Sequence, residues 1–216
     1  MSPNELAENV RHPVFARFFD RLSYWMEPEV GRHRDSLIAG LSGRVLEVGA
    51  GNGINFARYP DSVEEVIAIE PEPFLRAKAE LAAAKVSTRI QVRPGVAAPL
   101  PFERSSFDAA VTSLVLCTVA DLREALVEMR RVLKPGGELR FLEHVRSQHA
   151  FKAAVQRAFD GSRLWPLIGG GCHCSRQTTD EIAAAGFRIA ELEELTFDPA
   201  WFVTNPHVRG TALASG

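Results

Sequence analysis

Arg44-Val45-Leu46-Glu47-Val48-Gly49-Ala50-Gly51-Asn52-Gly53 is the stretch that decides the fold. Its apolar residues read as a buried strand, and the alternating glycines that follow read as a loop. Glycine lacks Cβ, so such a loop adopts positive φ and lets a ligand approach the backbone closely. A second apolar strand, Val66-Ile67-Ala68-Ile69, ends in another acid, Glu70. An acid roughly 20 residues beyond a glycine loop is suited to holding a ribose. The expectation is an adenosine-containing cofactor on the edge of a parallel sheet.

The glycine order here is G-x-G-x-G, one residue short of the dinucleotide fingerprint G-x-G-x-x-G. Glu47 stands just before the first glycine, where a carboxylate repels a pyrophosphate. S-adenosylmethionine carries a sulfonium and an ammonium, and an acid favours both. The charge argument therefore ranks S-adenosylmethionine above NAD. An NAD(P)-dependent oxidoreductase and a non-catalytic S-adenosylmethionine-binding protein are the alternatives. A solvated strand-end residue is the plainer account of either acid.

Four ordered motifs make the chain resemble the class I S-adenosylmethionine-dependent methyltransferases, of the type 11-like kind. They are Glu47 to Gly53, Ile69-Glu70-Pro71, Leu100-Pro101-Phe102 with Ser106-Phe107-Asp108, and Val132-Leu133-Lys134-Pro135-Gly136-Gly137. The resemblance spans residues 40 to 146. It implies an α/β fold: a Rossmann-like doubly wound sheet of about seven strands, the last antiparallel, under an N-terminal helical lid. It implies transfer of a methyl group to a small, partly apolar acceptor: a thiol, a phenol or quinone-like ring, or a lipid amine. It also implies that Glu47, Gly49, Ala50, Gly51 and Gly53 hold the methionine portion, Glu70 the ribose, and Leu114 the floor under the sulfonium. Asn52 and Asn55 either bond near the carboxylate end or cap a helix. Relatives often carry an acid for adenine before Leu-Pro-Phe. Here Gly95-Val96-Ala97-Ala98 stands instead, so adenine is left to Val96, Ala97, Pro71 or Glu72. Gly171-Cys172, Ser175-Arg176, Pro206-His207 and Arg11-His12-Pro13 are similar to a subgroup that includes the alkyl thiol methyltransferases of animals. The hydrophobic N-terminal anchor of those proteins has no match here, so membrane attachment is not carried over.

The 216 residues are 46% hydrophobic, which suits one full core. A net charge of −2 disfavours a nucleic-acid partner. Three cysteines, Cys117, Cys172 and Cys174, do not make a disulfide framework and suit a reducing cytoplasm. Met1 to Val10 is polar, and no stretch reaches the roughly 20 apolar residues of a membrane span. Oligomeric state is not legible.

Residues 1–40 read as a helical lid, 41–146 as the cofactor-binding core, and 147–216 as helices and an antiparallel strand pair completing the same domain. In the lid, Pro13 suits a first helical turn, and Val14, Phe15, Phe18, Phe19, Leu22 and Trp25 recur at helical spacing. The stripe serves core packing or a substrate lid, with Tyr24 and Trp25 the expected pocket-facing aromatics. A second helix is expected at about residues 32–39. In the core, strands are expected at about residues 44–48, 66–69, 88–92, 107–113 and 138–145. Helices are expected at about residues 53–59, 73–84 and 121–132. Beyond it come helices at about 151–164 and 180–185 and strands at about 187–195 and 203–213.

A nucleophile that gives up a proton needs an acceptor for it. Glu143-His144, at the carboxyl end of a strand, is the candidate pair, with a structural role for His144 as the alternative. Cys117 reads as a small buried apolar residue. Cys172-His173-Cys174 invites a zinc reading. The expectation is no metal, because adjacent ligands rarely close a tetrahedral site and no C-x₂-C partner exists. His173 and His207 are second-rank candidates for the acceptor pocket.

Overall fold

A computed structural model describes residues 12–162, 165 and 169–215. Met1 to Arg11, and Leu164 and Pro166 near the expected helix end and chain break, lie outside the described residues.

Proline and acid placement explains where the helices start. Helix α1, Pro13–Trp25, has proline in its first turn. Helix α2, Glu27–Ile38, carries Glu27 and Glu29 in its first turn, where the helix dipole favours negative charge. It starts earlier than the sequence suggests. Helix α3, Pro73–Ala83, is capped by the Glu72 side chain, and α4, Leu122–Val132, by Asp121. Helices α5, Ala150–Gly161, and α6, Thr178–Ala184, follow.

Among the described residues, seven strands form one sheet: β1 Gly43–Val48, β2 Val63–Ile69, β3 Ile90–Arg93, β4 Phe107–Ser113, β5 Leu133–His144, β6 Phe187–Leu195 and β7 His207–Ala214. The order is β3-β2-β1-β4-β5-β7-β6. The β1–β5 pairs are parallel, while β7 lies antiparallel between β5 and β6. The carboxyl ends of β1, β2, β4 and β5 therefore emerge along one edge, and the order reverses at β1 and β4, where such sheets bind ligands.

Side chains alternate across β1. Leu46 and Val48 face the core under α4 and α6. Val45 faces the opposite core, built with α2, α3 and Tyr59. Glu47 shares the face of Val45, which fixes its surroundings. No helix among the described residues is long and apolar enough to cross a membrane.

Three further elements differ from expectation. The helix expected at residues 53–59 is only a 3-10 turn, Phe56–Arg58. Gly53 has φ +79, Asn55 and Tyr59 turn inward onto Glu47, and Pro60 follows. Strand β5 begins early: Leu133 pairs with Phe107, and pairing resumes only at Glu138 opposite Ala109. Residues 134–137 bulge between them. Strand β7 starts late, because Asn205 closes a turn on the Phe197 backbone and Pro206 offers no N–H.

Candidate functional site

The glycine loop at the end of β1 is pinned to the end of β2. Gly49 N and Ala50 N both donate to Ile69 O, at 2.9 and 3.1 Å. Gly51 N donates to Glu70 Oε2 at 2.8 Å, and Glu72 N donates to Glu70 Oε1 at 2.9 Å. Burial pushes the Glu70 carboxyl up to about 7, against those two N–H groups. At Gly49, φ is +70 and a Cβ would stand 2.5 Å from Val115 Cγ2, so only glycine fits. At Gly51, φ is +57 and a Cβ would meet only Phe19 Cε1, at 3.6 Å. The face of the loop at Gly51 is otherwise open.

Glu47 points away from that face. Its Oε1 accepts from Asn55 Nδ2 at 2.8 Å and its Oε2 from Tyr59 OH at 2.9 Å. The buried Arg34 guanidinium lies close by, donating to Ser113 Oγ at 2.8 Å and to Asn55 Oδ1 at 3.4 Å. Burial raises the Glu47 carboxyl, and Asn55, Tyr59 and Arg34 oppose it. The geometry corrects the charge argument: this acid braces the loop from the α2 side, because the strand pleat turns it there.

Asn52 and Asn55 cap nothing. Asn52 Nδ2 donates to Asp20 Oδ1 at 3.0 Å and to Ser23 Oγ at 2.9 Å, tying the loop to α1. The inward stripe of α1 runs through Phe15, Ala16, Phe19 and Ser23. Phe19 lies over Gly51, and Phe15 lies against Gly170. Tyr24 and Trp25 are 60% and 73% exposed, not pocket-facing. Each residue turns a helix by about 100°, so they fall off the stripe that Ser23 occupies. Asp20, Ser23, Arg34 and Tyr59 escaped the sequence reading; only helical spacing from Ala16 could have pointed to Ser23.

Of the residues expected to meet adenine, Val96 and Ala97 are half-buried, and Ala97 packs on the α4 core. The Pro71 carbonyl accepts from Arg76 at 3.0 Å, as does that of Glu70. Glu72 is engaged as the α3 cap, its Oε2 2.9 Å from Leu75 N. Leu114, just past β4, has φ +60 and is held by Leu142 O at 2.8 Å. A left-handed leucine costs on the order of 1–3 kcal/mol and is typical of a functional turn.

Glu143 is wholly buried, with both oxygens near Val115 N, at 3.1 and 3.0 Å. It grips the turn after β4 as Glu70 grips the loop after β1. Burial pushes it up to about 7, against the N–H groups of Leu116 and Val115. His144 Nε2 lies 3.1 Å from Cys172 Sγ. Burial works to lower this imidazole, but the Cys172 sulfur and Glu143 outweigh it and raise it. Hydrogen bonds from Cys117, then Cys174, and the nearby His144 hold Cys172 well below the usual thiol range. Sharing that sulfur raises Cys117 and Cys174.

His207 is brought beside this group, its ring 6.0 Å from that of His144. Burial lowers it to about 3, so it stays neutral, with Nδ1 3.1 Å from Asn205 Oδ1. His173 is half-buried, and its backbone N donates to Cys117 O at 2.9 Å. Spacing alone groups Cys172, His173 and Cys174. The fold instead gathers Cys117, His144 and Cys172, whose donor atoms lie within 4.8 Å of one another.

A family model described as "Methyltransferase domain" matches residues 46–141. Human thiol S-methyltransferase TMT1B is 32% identical over 93% of this chain and 88% of its own length. A demethylmenaquinone methyltransferase of Renibacterium salmoninarum is 39% identical over 44% of this chain and 39% of its own. Among solved structures, the [4+2]-cyclase SpnF superposes with a TM-score of 0.68 at 23% identity, covering 85% of this chain and 80% of SpnF. At that identity the likeness concerns the fold alone.

Proposed function

The chain belongs to the methyltransferase-domain family that contains the thiol S-methyltransferases, and from that premise we propose that it moves the methyl group of S-adenosylmethionine onto the sulfur of a small, partly apolar thiol. The observation that carries the reading is the pinned glycine loop, with Gly51 N on Glu70 Oε2 at 2.8 Å along the carboxyl edge. The residues there fit the cofactor. Each Glu70 oxygen accepts one backbone N–H, which leaves lone pairs for the two hydroxyls of a ribose. The open face at Gly51 suits the methionine portion.

Bound S-adenosylmethionine supplies a methyl group already activated by a sulfonium. What the chain adds is alignment and a dry site. Phe15 and Phe19 roof the edge from the glycine loop to Gly170. Glu143 fixes the turn that carries Leu114 and Val115. A thiol attacks as thiolate, so its proton must leave. His144, at the carboxyl edge with the His207 ring 6.0 Å away, is the proposed proton acceptor; His173 is half-buried and next to Cys172 in sequence, and Tyr24 is 60% exposed.

Phenol, quinone and amine acceptors come second. The quinone methyltransferase alignment covers 44% of the chain, too little to take in both α1 and the 169–176 loop. A reducing compartment, the cytoplasm, suits the three free thiols.

The test is release of S-adenosylhomocysteine with panels of thiols, phenols and amines. Thiol turnover is expected, and Gly51→Arg abolishes it by filling the open face. Turnover of phenols or amines but not thiols refutes the acceptor. Tight NADH binding with no response to adenosyl ligands refutes the cofactor.

A further inference from the structure

Cys117 follows β4, His144 closes β5 and Cys172 sits in a loop far along the chain. Their donor atoms nevertheless lie within 4.8 Å of one another, all on buried residues. Three features build this group. Strands β4 and β5 pair in parallel, so their carboxyl ends emerge side by side. The backbone of His173 donates to Cys117 O at 2.9 Å. The loop around Cys172 is then clamped from both sides. Arg176 donates to Leu116 O at 2.5 Å and Val119 O at 2.7 Å, and Asp160 accepts from Cys174 N at 2.7 Å and Ser175 N at 2.9 Å.

We propose that Cys117, His144 and Cys172 form a three-ligand site for Zn²⁺, whose fourth position receives the sulfur of the acceptor. The second half rests on the thiol reading above; the first stands on the geometry alone. Two thiols and an imidazole are a donor set that zinc prefers. With Zn–S near 2.3 Å and Zn–N near 2.0–2.1 Å, tetrahedral neighbours stand about 3.4–3.8 Å apart. The 3.1 Å between His144 Nε2 and Cys172 Sγ and the 4.8 Å limit of the group bracket that spacing. The other ring nitrogen, His144 Nδ1, is buried without a hydrogen-bonding partner among the described residues. The ring is thus aimed at the sulfurs and anchored by no other hydrogen bond. Cys174 stands outside the group. Structural zinc sites are closed by four protein ligands, whereas reactive ones keep a position open.

Such a site explains how a small thiol is both held and deprotonated. With His144 Nε2 on the metal, that imidazole no longer takes the thiol proton; coordination instead sends the proton to solvent and leaves a thiolate. A sulfur lone pair then bonds to the methyl carbon. The sulfonium C–S bond breaks, and its electron pair neutralises the sulfonium to a thioether.

The test uses full-length, fully reduced, metal-free protein titrated with Co²⁺. One Co²⁺ per chain is expected, with a thiolate-to-metal charge-transfer band that an equivalent of Zn²⁺ bleaches. The band is lost in Cys117→Ser and Cys172→Ser and kept in Cys174→Ser. A small alkyl thiol shifts the cobalt d–d bands, and zinc removal lowers thiol turnover about tenfold or more. Absence of the band in folded wild-type protein overturns the metal site without needing any variant. So does a Cys117–Cys172 disulfide that forms in glutathione buffer in preference to metal binding. Unaltered d–d bands, or full thiol turnover by zinc-free protein, overturn the open position while the thiol reading stands. A normal cobalt spectrum with no thiol turnover leaves the metal site standing and overturns the acceptor sulfur.

Discussion

Replacing Glu70 with Gln separates the loop-holding duty of that carboxylate from its proposed ribose duty. Its oxygens hold Gly51 N at 2.8 Å and Glu72 N at 2.9 Å, in a place where burial pushes the carboxyl to about 7 from 4.5. Keeping it ionised in the free protein costs roughly 3 kcal/mol at 1.36 kcal/mol per unit. The sign follows from proton counts. Between 4.5 and about 7 the folded state binds more protons than the unfolded one, so this group lowers stability as pH rises through that window. The full cost is felt above it. Ribose hydroxyls stabilise the ionised form, so binding of an adenosyl ligand expels a proton below about 7. Affinity should climb up to tenfold per unit towards that pH and level off beyond it.

Glutamine removes the charge but keeps one oxygen, so one of the two backbone N–H groups loses its acceptor at about 1–3 kcal/mol. The two stability effects oppose at similar size, and the melting temperature above neutrality should move little. Two hydroxyls lose a charged acceptor, worth about 1.5–3 kcal/mol, or roughly 10- to 150-fold in affinity. Calorimetry with S-adenosylhomocysteine in two buffers of different ionisation enthalpy measures both affinity and proton release. A wild-type affinity flat from acid to neutral pH, or a Gln variant that binds as tightly as wild type above neutrality, refutes the ribose role.

Tyr59→Phe leaves Glu47 Oε2 without its donor at 2.9 Å, and urea unfolding should show a loss of about 1–3 kcal/mol. Cofactor affinity should change far less, because Glu47 faces α2. Asn52→Ala cuts both ties to α1; amide exchange in residues 13–25 should quicken, and KM for the cofactor should rise more than kcat falls. Gly49→Ala drives a Cβ to 2.5 Å from Val115 Cγ2, so thermal unfolding should drop sharply. Adding Val115→Ala should restore part of the loss, leaving the cost of φ +70 on a non-glycine residue, about 1–2 kcal/mol.

Much of the fold was legible because its signals are local. Strand–helix alternation and the glycine run placed β1, β2 and β4 close to where they lie, and the span expected for β6, 187–195, is the one found. Asp121 announced the start of α4 as a cap. Glu70 was found by its spacing from the loop, and it does touch Gly51. The direction of Glu47 was not legible. Two acids at strand ends look alike in one dimension, and only the packing of α2 and the 53–59 turn decides which face each one meets. The same holds for α1. Its apolar period was plain, but which part of that wide stripe is inward depends on the elements it lies against, and these proved to be Gly51 and Gly170.

Sequence alone determined that this chain builds a parallel run of strands with a glycine loop on its carboxyl edge and an acid, Glu70, beside that loop. Those features depend on periodicities and turn chemistry written within a few residues of each other. Tertiary structure alone decided that Cys117, His144 and Cys172 meet. Their approach requires β4 beside β5 and a returning loop hydrogen-bonded to Cys117 O. Contacts between distant segments are set by strand order and burial, which no local spacing records.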